Sequence, residues 1–321
     1  MGLHAPWENG KLAPYYDACN GGAAAACFNL ALKYDAGSDE TPRDPGKAAD
    51  LYRKACEAGS APGCANLGSL LDKGEGITKD EAQAVTLYRK ACTLGDGGGC
   101  HNLSRSYANG RGVSRDVAQA TALASKACEL GQALDCEGLG DASAGGKGGP
   151  RDVPAATAFY QKACDMGAPT ACQKLGVTIA ATDPEEALAM FKKACAAGLS
   201  GGCTAAGVSL EGGHGAPPDP AQAASLYQRA CDGGSAAGCS LLGNLLASGK
   251  GVPADPTLAA TLQTKACDAG FAIGCRRLAE QVELGLGTTK DAERAAALFA
   301  KACAAGDAPS CAHGKHETAT P

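Results

Sequence analysis

Aromatic residues, basic excess and long apolar runs are all missing from this chain, and each absence excludes something. One Trp, five Phe and eight Tyr in 321 residues leave little ring area for a core. A formal net charge of -5 removes the basic footprint of a nucleic-acid binder. No apolar run approaches the roughly 20 residues that a membrane-spanning helix needs. Strand patterns are absent as well. What the chain has instead is 45 Gly and 18 Cys. Small side chains let helices approach closely but bury little apolar area each, so covalent staples would help such a scaffold.

All eighteen cysteines fall into pairs eight residues apart. Cys19 pairs with Cys27, Cys56 with Cys64, Cys92 with Cys100, Cys128 with Cys136 and Cys164 with Cys172. Further on, Cys195 pairs with Cys203, Cys231 with Cys239, Cys267 with Cys275 and Cys303 with Cys311. The first cysteines of successive pairs are 37, 36, 36, 36, 31, 36, 36 and 36 residues apart. A fixed period of this size marks a solenoid of supersecondary units. It overrides the expectation of two or three domains for this length.

The unit from Asp80 to Gly110 shows the grammar. Ala84, Leu87, Tyr88, Ala91 and Cys92 share one helical face. Ala stands eight before the first cysteine from Ala48 to Ala295. Gly stands three after it in every unit, from Gly22 to Gly306, where a left-handed helix stop belongs. Lys or Arg two before that cysteine, from Lys54 to Lys301, is expected to complement the helix dipole. A second helix begins near the second cysteine. It carries Gly at 68, 140, 176, 207 and 243, where a neighbouring backbone is expected to approach. Gly-rich connections such as Asn109–Val113 follow, and Asp or Asp-Pro opens the next helix, as at Asp44, Asp80, Asp116, Asp219 and Asp255. Between Cys172 and Cys195 the Gly-rich connection is missing, so five residues are expected to come from a loop and none from a helix.

Residues eight apart on one helix lie about 12 Å apart along its axis, whereas a disulfide needs Cα atoms within about 7 Å. The Gly between each pair supplies the reversal that a bridge requires. A bridge closing so short a loop contributes about 2–3 kcal/mol in the chain-entropy model. Buried free thiols and zinc ligands are the alternatives. Zinc ligand pairs usually stand two to four residues apart, so zinc fits poorly, and no other metal and no cofactor is expected. Redox exchange favours Cys-x-x-Cys with an exposed low-pKa thiol, unlike nine equivalent pairs. Bridges place the chain in an oxidising compartment, periplasmic or secreted; free thiols would place it in the cytoplasm. Residues 1–7 show no charged stretch followed by an apolar one, so a signal segment is expected to lie outside this chain.

The pattern A-x-x-L-Y-x-K-A-C-x-x-G-x-x-x-G-C-x-x-L-G, followed by a G-x-G-V loop and Asp, resembles the Sel1-like repeat. Its cysteine-bearing form is similar to the Helicobacter cysteine-rich proteins. The resemblance spans residues 11–311. It implies an all-α, right-handed α/α solenoid of about eight repeats with one disulfide per repeat, acting as an adaptor. It also implies, as an alternative, a penicillin-binding, weakly β-lactamase-like hydrolase. The expected layout is an N-terminal helix or cap over 1–18, a single solenoid over 19–311 with its short repeat near 172–195, and a tail over 312–321. High Ala and Gly content points to a GC-rich bacterial genome.

No Ser-x-x-Lys occurs in the chain, so the serine nucleophile motif of β-lactamases is missing. His4, His101, His214, His313 and His316 form no H-E-x-x-H. His313 and His316 read as solvated tail residues, and His101 as a surface or interface residue. The Gly-x-Gly loops follow no strand, which excludes a dinucleotide fingerprint. Asn29, Asn66 and Asn102, each two after a second cysteine, form the one candidate binding ladder. Their amides can pair with both the C=O and the N–H of an extended peptide. The equivalent residues onward are Gly138, Lys174, Ala205, Leu241 and Arg277. The expected function is therefore an exported, monomeric scaffold that binds a peptide or protein segment in a concave groove, not an enzyme.

Overall fold

The computed structural model describes residues 12–38, 41–146 and 150–316, with the side chains of 313–316 excluded. Every regular element among the described residues is a helix. Two compact units divide the chain, residues 1–166 and 167–321. The first holds α1 (Ala13–Asn20), α2 (Ala24–Ala36), α3 (Pro45–Glu57), α4 (Ala61–Lys73), α5 (Glu81–Thr93), α6 (Gly97–Asn109), α7 (Val117–Glu129), α8 (Ala133–Gly145) and α9 (Val153–Asp165). The second holds α10 (Pro169–Ile179), α11 (Pro184–Ala196), α12 (Ser200–Gly212), α13 (Pro220–Asp232), α14 (Ala236–Ser248), α15 (Pro256–Asp268), α16 (Ala272–Leu284), α17 (Ala292–Ala304) and α18 (Ala308–His316). Each unit is a run of helical hairpins, the repeat solenoid expected from the cysteine period.

Local chemistry sets the helix ends. The carboxylates of Asp44, Asp80, Asp116, Asp152, Asp183, Asp219, Asp255 and Asp291 each accept from the backbone N–H three residues on. Each satisfies a donor that the first helical turn leaves open. The Gly three past each first cysteine has φ between 82° and 95°. That left-handed geometry reverses the chain and brings the two cysteines together. In the first unit, bridges join Cys19 to Cys27, Cys56 to Cys64, Cys92 to Cys100 and Cys128 to Cys136. In the second, they join Cys195 to Cys203, Cys231 to Cys239, Cys267 to Cys275 and Cys303 to Cys311. Their Cα atoms lie 4.4–4.8 Å apart. No cysteine is free among the described residues, so the free-thiol and zinc alternatives fall away. The Ala before the first cysteine is fully buried from Ala55 to Ala302, so the hairpins close on small side chains and sulfur.

Three expectations change in detail. First, in three repeats the cation near the helix end reaches beyond its own helix. Lys90 Nζ donates to the carbonyl of Cys56 at 2.9 Å, Arg229 to that of Cys195 at 3.1 Å, and Lys265 Nζ to that of Cys231 at 3.2 Å. It stitches one repeat to the one before, because that helix also ends in unpaired carbonyls. Second, the Gly four after the second cysteine admits a side chain as well as a backbone. A Cβ at Gly68, Gly140, Gly176 or Gly207 would lie 2.5–2.7 Å from the ring of Tyr88, Tyr160, Phe191 or Tyr227 respectively. At Gly243 the neighbour is the amide of Gln263, at 2.8 Å. Third, the short interval takes residues from a helix too. α10 has 11 residues where the other second helices between α4 and α16 have 13. The N–H groups of Thr182 and Asp183 both donate to Ile179 O, ending it in a tight turn.

Candidate functional site

Packing is more extensive between consecutive repeats, α4 on α5 or α14 on α15, than within the hairpins α3–α4 or α13–α14. The joints between repeats therefore gather the polar side chains worth considering. In the first unit, Asp72 at the end of α4 pairs with Arg111 of the α6–α7 loop at 2.6 Å. Tyr88 of α5 lines the same small space as both. Burial, with the Asp72 charge adding to it, pushes the Tyr88 hydroxyl up to about 12. The second unit repeats this cluster. The Tyr227 hydroxyl donates to Glu211 at 3.0 Å, and Lys250 pairs with Glu211 at 3.2 Å. Burial and that hydrogen bond raise the Tyr227 hydroxyl above its ordinary range. In register, the acid stands eight after one second cysteine, the Tyr four before the next first cysteine, and the cation eleven after the following second cysteine. The sequence carried that signal, but only the fold shows that positions 39 apart meet.

The Asn ladder divides between these joints. Asn29 is exposed on α2. Asn66, half-buried on α4, hydrogen-bonds the hydroxyl of Tyr52. Tyr52 also donates to Asp35 at 3.1 Å, and burial raises its pKa. Asn102, half-buried on α6, lines a cavity of about 30 Å³ with Asp72, Tyr88, Arg105, Ser106 and Arg111. Such a space is on the scale of a single water. Two of the three asparagines thus stand beside inter-repeat tyrosines, and one faces solvent.

His101 bridges repeats: its Nδ1 lies 2.8 Å from Asp135 Oδ2, linking α6 to α8. Of the other histidines, His4 and the side chains of His313 and His316 lie outside the described residues. No group of three or more His, Cys, Asp or Glu side chains gathers to hold a metal among the described residues. No helix among them is long and apolar enough to cross a membrane.

The family pattern described as Sel1 repeat matches residues 24–60, 61–96, 98–132, 136–167, 172–199, 202–235, 236–271 and 272–307. The chain belongs to the Sel1-repeat family. Proteins of this family are generally protein-interaction scaffolds. The structure of c5321, described as a protective antigen of uropathogenic Escherichia coli strains with an SLR fold, is 28% identical. It matches with a TM-score of 0.86 over 95% of this chain and 67% of its own. A Sel1 repeat protein from Oxalobacter formigenes shares the fold at 24% identity and a TM-score of 0.67, over 98% of this chain and 95% of its own. Helicobacter pylori cysteine rich protein B is 29% identical over 42% of this chain and 98% of its own, with a TM-score of 0.33. No curated protein matches. The bridged cysteines of this Sel1-repeat chain point to an oxidising, extracytoplasmic environment.

Proposed function

We propose that this Sel1-repeat chain is an exported, monomeric scaffold that binds an extended peptide or protein segment in a concave groove. The observation that carries this reading is the equivalent register of Asn66 and Asn102 on α4 and α6, with the exposed Asn29 one repeat earlier. Side-chain amides at one level of successive repeats, on helices roughly 8–10 Å apart, meet an extended peptide about every third residue, and each offers both a donor and an acceptor. Bridged hairpins hold that spacing, and solenoids supply extended surfaces for such use. The protective-antigen description of the similar Escherichia coli protein fits a chain that works outside the cytoplasm. No observation favours the penicillin-binding alternative.

The test is a displayed library of random decapeptides panned against the oxidised chain. Enriched peptides should lose most of their binding to a triple variant, Asn29→Ala with Asn66→Ala and Asn102→Ala, whose circular dichroism is unchanged. Enrichment no better than on a blank surface, or binding indifferent to the three substitutions, would end the reading.

A further inference from the structure

One joint holds cations that no carboxylate answers. It is the joint of α4, α5 and α6, in a chain whose formal net charge is -5. The carboxylates around it are already paired. Asp72 pairs with Arg111 at 2.6 Å, Glu75 with Arg43 at 2.8 Å and Glu81 with Lys79 at 2.8 Å. Lys73, in the last turn of α4, and Arg105, on α6, are both exposed. Neither has a carboxylate partner among the described residues. Arg105 lines the small space at this joint beside Asn102, Ser106 and Arg111. Lys73 stands at the level of Ser248, which lines the cleft at the joint of α14, α15 and α16.

The surplus charge belongs to this joint and not to the repeat. At the levels of Lys73 and Arg105, the joint before it has Ala36 and Ser69, and the joint after it has Asn109 and Asp141. The joint of α14, α15 and α16 has Ser248 and Glu280 there, with Ala247, Gln263 and Leu286 in place of Asp72, Tyr88 and Arg111. The fold therefore does not require the two cations. The charge of Arg105 is aimed at the joint: with Arg111 it acts on the Tyr88 hydroxyl, opposing burial and Asp72. The space that Arg105 lines, about 30 Å³, is wide enough for one water-sized oxygen. Asn102, the last amide of the asparagine ladder, lines it too.

We propose that this joint is the anion subsite of the asparagine ladder and takes a carboxylate of the bound segment. The carboxylate accepts from the exposed Arg105 guanidinium and from the Asn102 amide N–H, and the Lys73 charge adds attraction. The planar fork of a guanidinium suits a carboxylate. A phosphate dianion suits the place less, because Asp72 lines the same space. The carboxylate is the C-terminus of the segment or an acidic side chain within it. That the ligand is a segment rests on the ladder reading; the preference for a carboxylate rests on Lys73 and Arg105.

The experiment is an NMR titration of the full, oxidised, nitrogen-15-labelled chain, read at the side-chain signals of Asn102 and Arg105. The probes are acetyl-Ser-Ala-Ser-Ala-Ser-Ala as free acid, the same peptide as C-terminal amide, acetyl-Ser-Ala-Glu-Ala-Ser-Ala-amide, and inorganic phosphate. Both carboxylate peptides should give saturable shifts, and the neutral peptide should bind about fivefold more weakly, the size of effect expected of an exposed ionic contact. Arg105→Met should weaken both carboxylate peptides by that factor. Exposed Leu32 and Val177 at the same level of other repeats show that the fold accepts an apolar side chain there. Tighter binding of the free acid assigns the C-terminus, tighter binding of the Glu peptide an acidic side chain, and equal binding the carboxylate whatever carries it. A neutral peptide that binds as well as the other two overturns the proposal. So does carboxylate binding indifferent to Arg105→Met, or phosphate that binds more tightly than both. Asn29→Ala separates the two readings, because it touches the ladder and not the charge. Binding that survives it but not Arg105→Met keeps the subsite and ends the ladder; the reverse keeps the ladder and ends the subsite.

Discussion

The same inter-repeat joint is closed between α4, α5 and α6 and open between α14, α15 and α16. In the closed joint the Tyr88 ring fills the notch over Gly68, and Asp72 and Arg111 pair beside it. In the open joint Gln263 lies over Gly243, and no charge stands at the Ala247 or Leu286 positions. All six helices have 13 residues, although Asp96 caps α6 with its side chain and Phe271 opens α16 without such a cap. These three side chains thus separate a joint with a space of about 30 Å³ from one with an open cleft of about 450 Å³. A solenoid tolerates this because each repeat is stabilised by its neighbours and by its own bridge.

The largest expected effect comes from opening the closed joint. Tyr88→Ala should cost about 3–5 kcal/mol, as expected for a large buried ring. Hydrogen exchange should show the loss centred on α4–α6 and sparing α14–α16; uniform loss would mean that the joint is not a local unit. Next, Gly68→Ala should cost about 1–3 kcal/mol, because the new methyl meets a ring that cannot withdraw. Gly243→Ala pushes the buried Gln263 amide off its hydrogen bonds with Ser240 and Asn244, so it should cost about as much, and paired thermal melts would compare the two. A clearly smaller cost would mean that the amide gives way where the ring cannot.

A smaller contrast is alkaline. Burial holds the Tyr88 hydroxyl protonated to about 12, above its ordinary value near 10. The unfolded chain ionises first, so this contribution is complete below pH 10 and is lost as the pH rises toward 12. Tyr88→Phe should reduce the fall in Tm between pH 9 and pH 11; an identical fall would assign it to Tyr52 and Tyr227 alone. The smallest effect belongs to Arg111→Met. Its guanidinium is 41% exposed, so the pair with Asp72 contributes about 0–1 kcal/mol. A loss well beyond that in chemical denaturation would show that the ion pair, not the ring, closes the joint.

Much of this was legible in the residues. The cysteine period, the Gly at each reversal and the Asp at each helix start fix the hairpins, because capping and left-handed turns depend on groups a few residues apart. The Gly68 and Gly207 positions were legible as places of close approach, but the occupant was not, since Tyr88 and Tyr227 arrive from the next helix. Lys90 and Arg229 were read against their own helix ends, yet they donate to carbonyls 34 residues earlier. Asn66 and Asn102 were readable as a periodic ladder, but not their place beside the joint tyrosines.

By itself, the sequence determined the repeat, its helix boundaries to within a turn, the cysteine partners and the oxidising setting, all consequences of short-range geometry. Only the tertiary structure decided which distant side chains share a joint, that Asp72, Tyr88 and Arg111 close one, and that Ala247, Gln263 and Leu286 leave another open. The physical reason is that a cavity is a property of packing between repeats. No single helix contains one, and smaller side chains open a cleft only where the neighbouring helices fail to fill the space they leave.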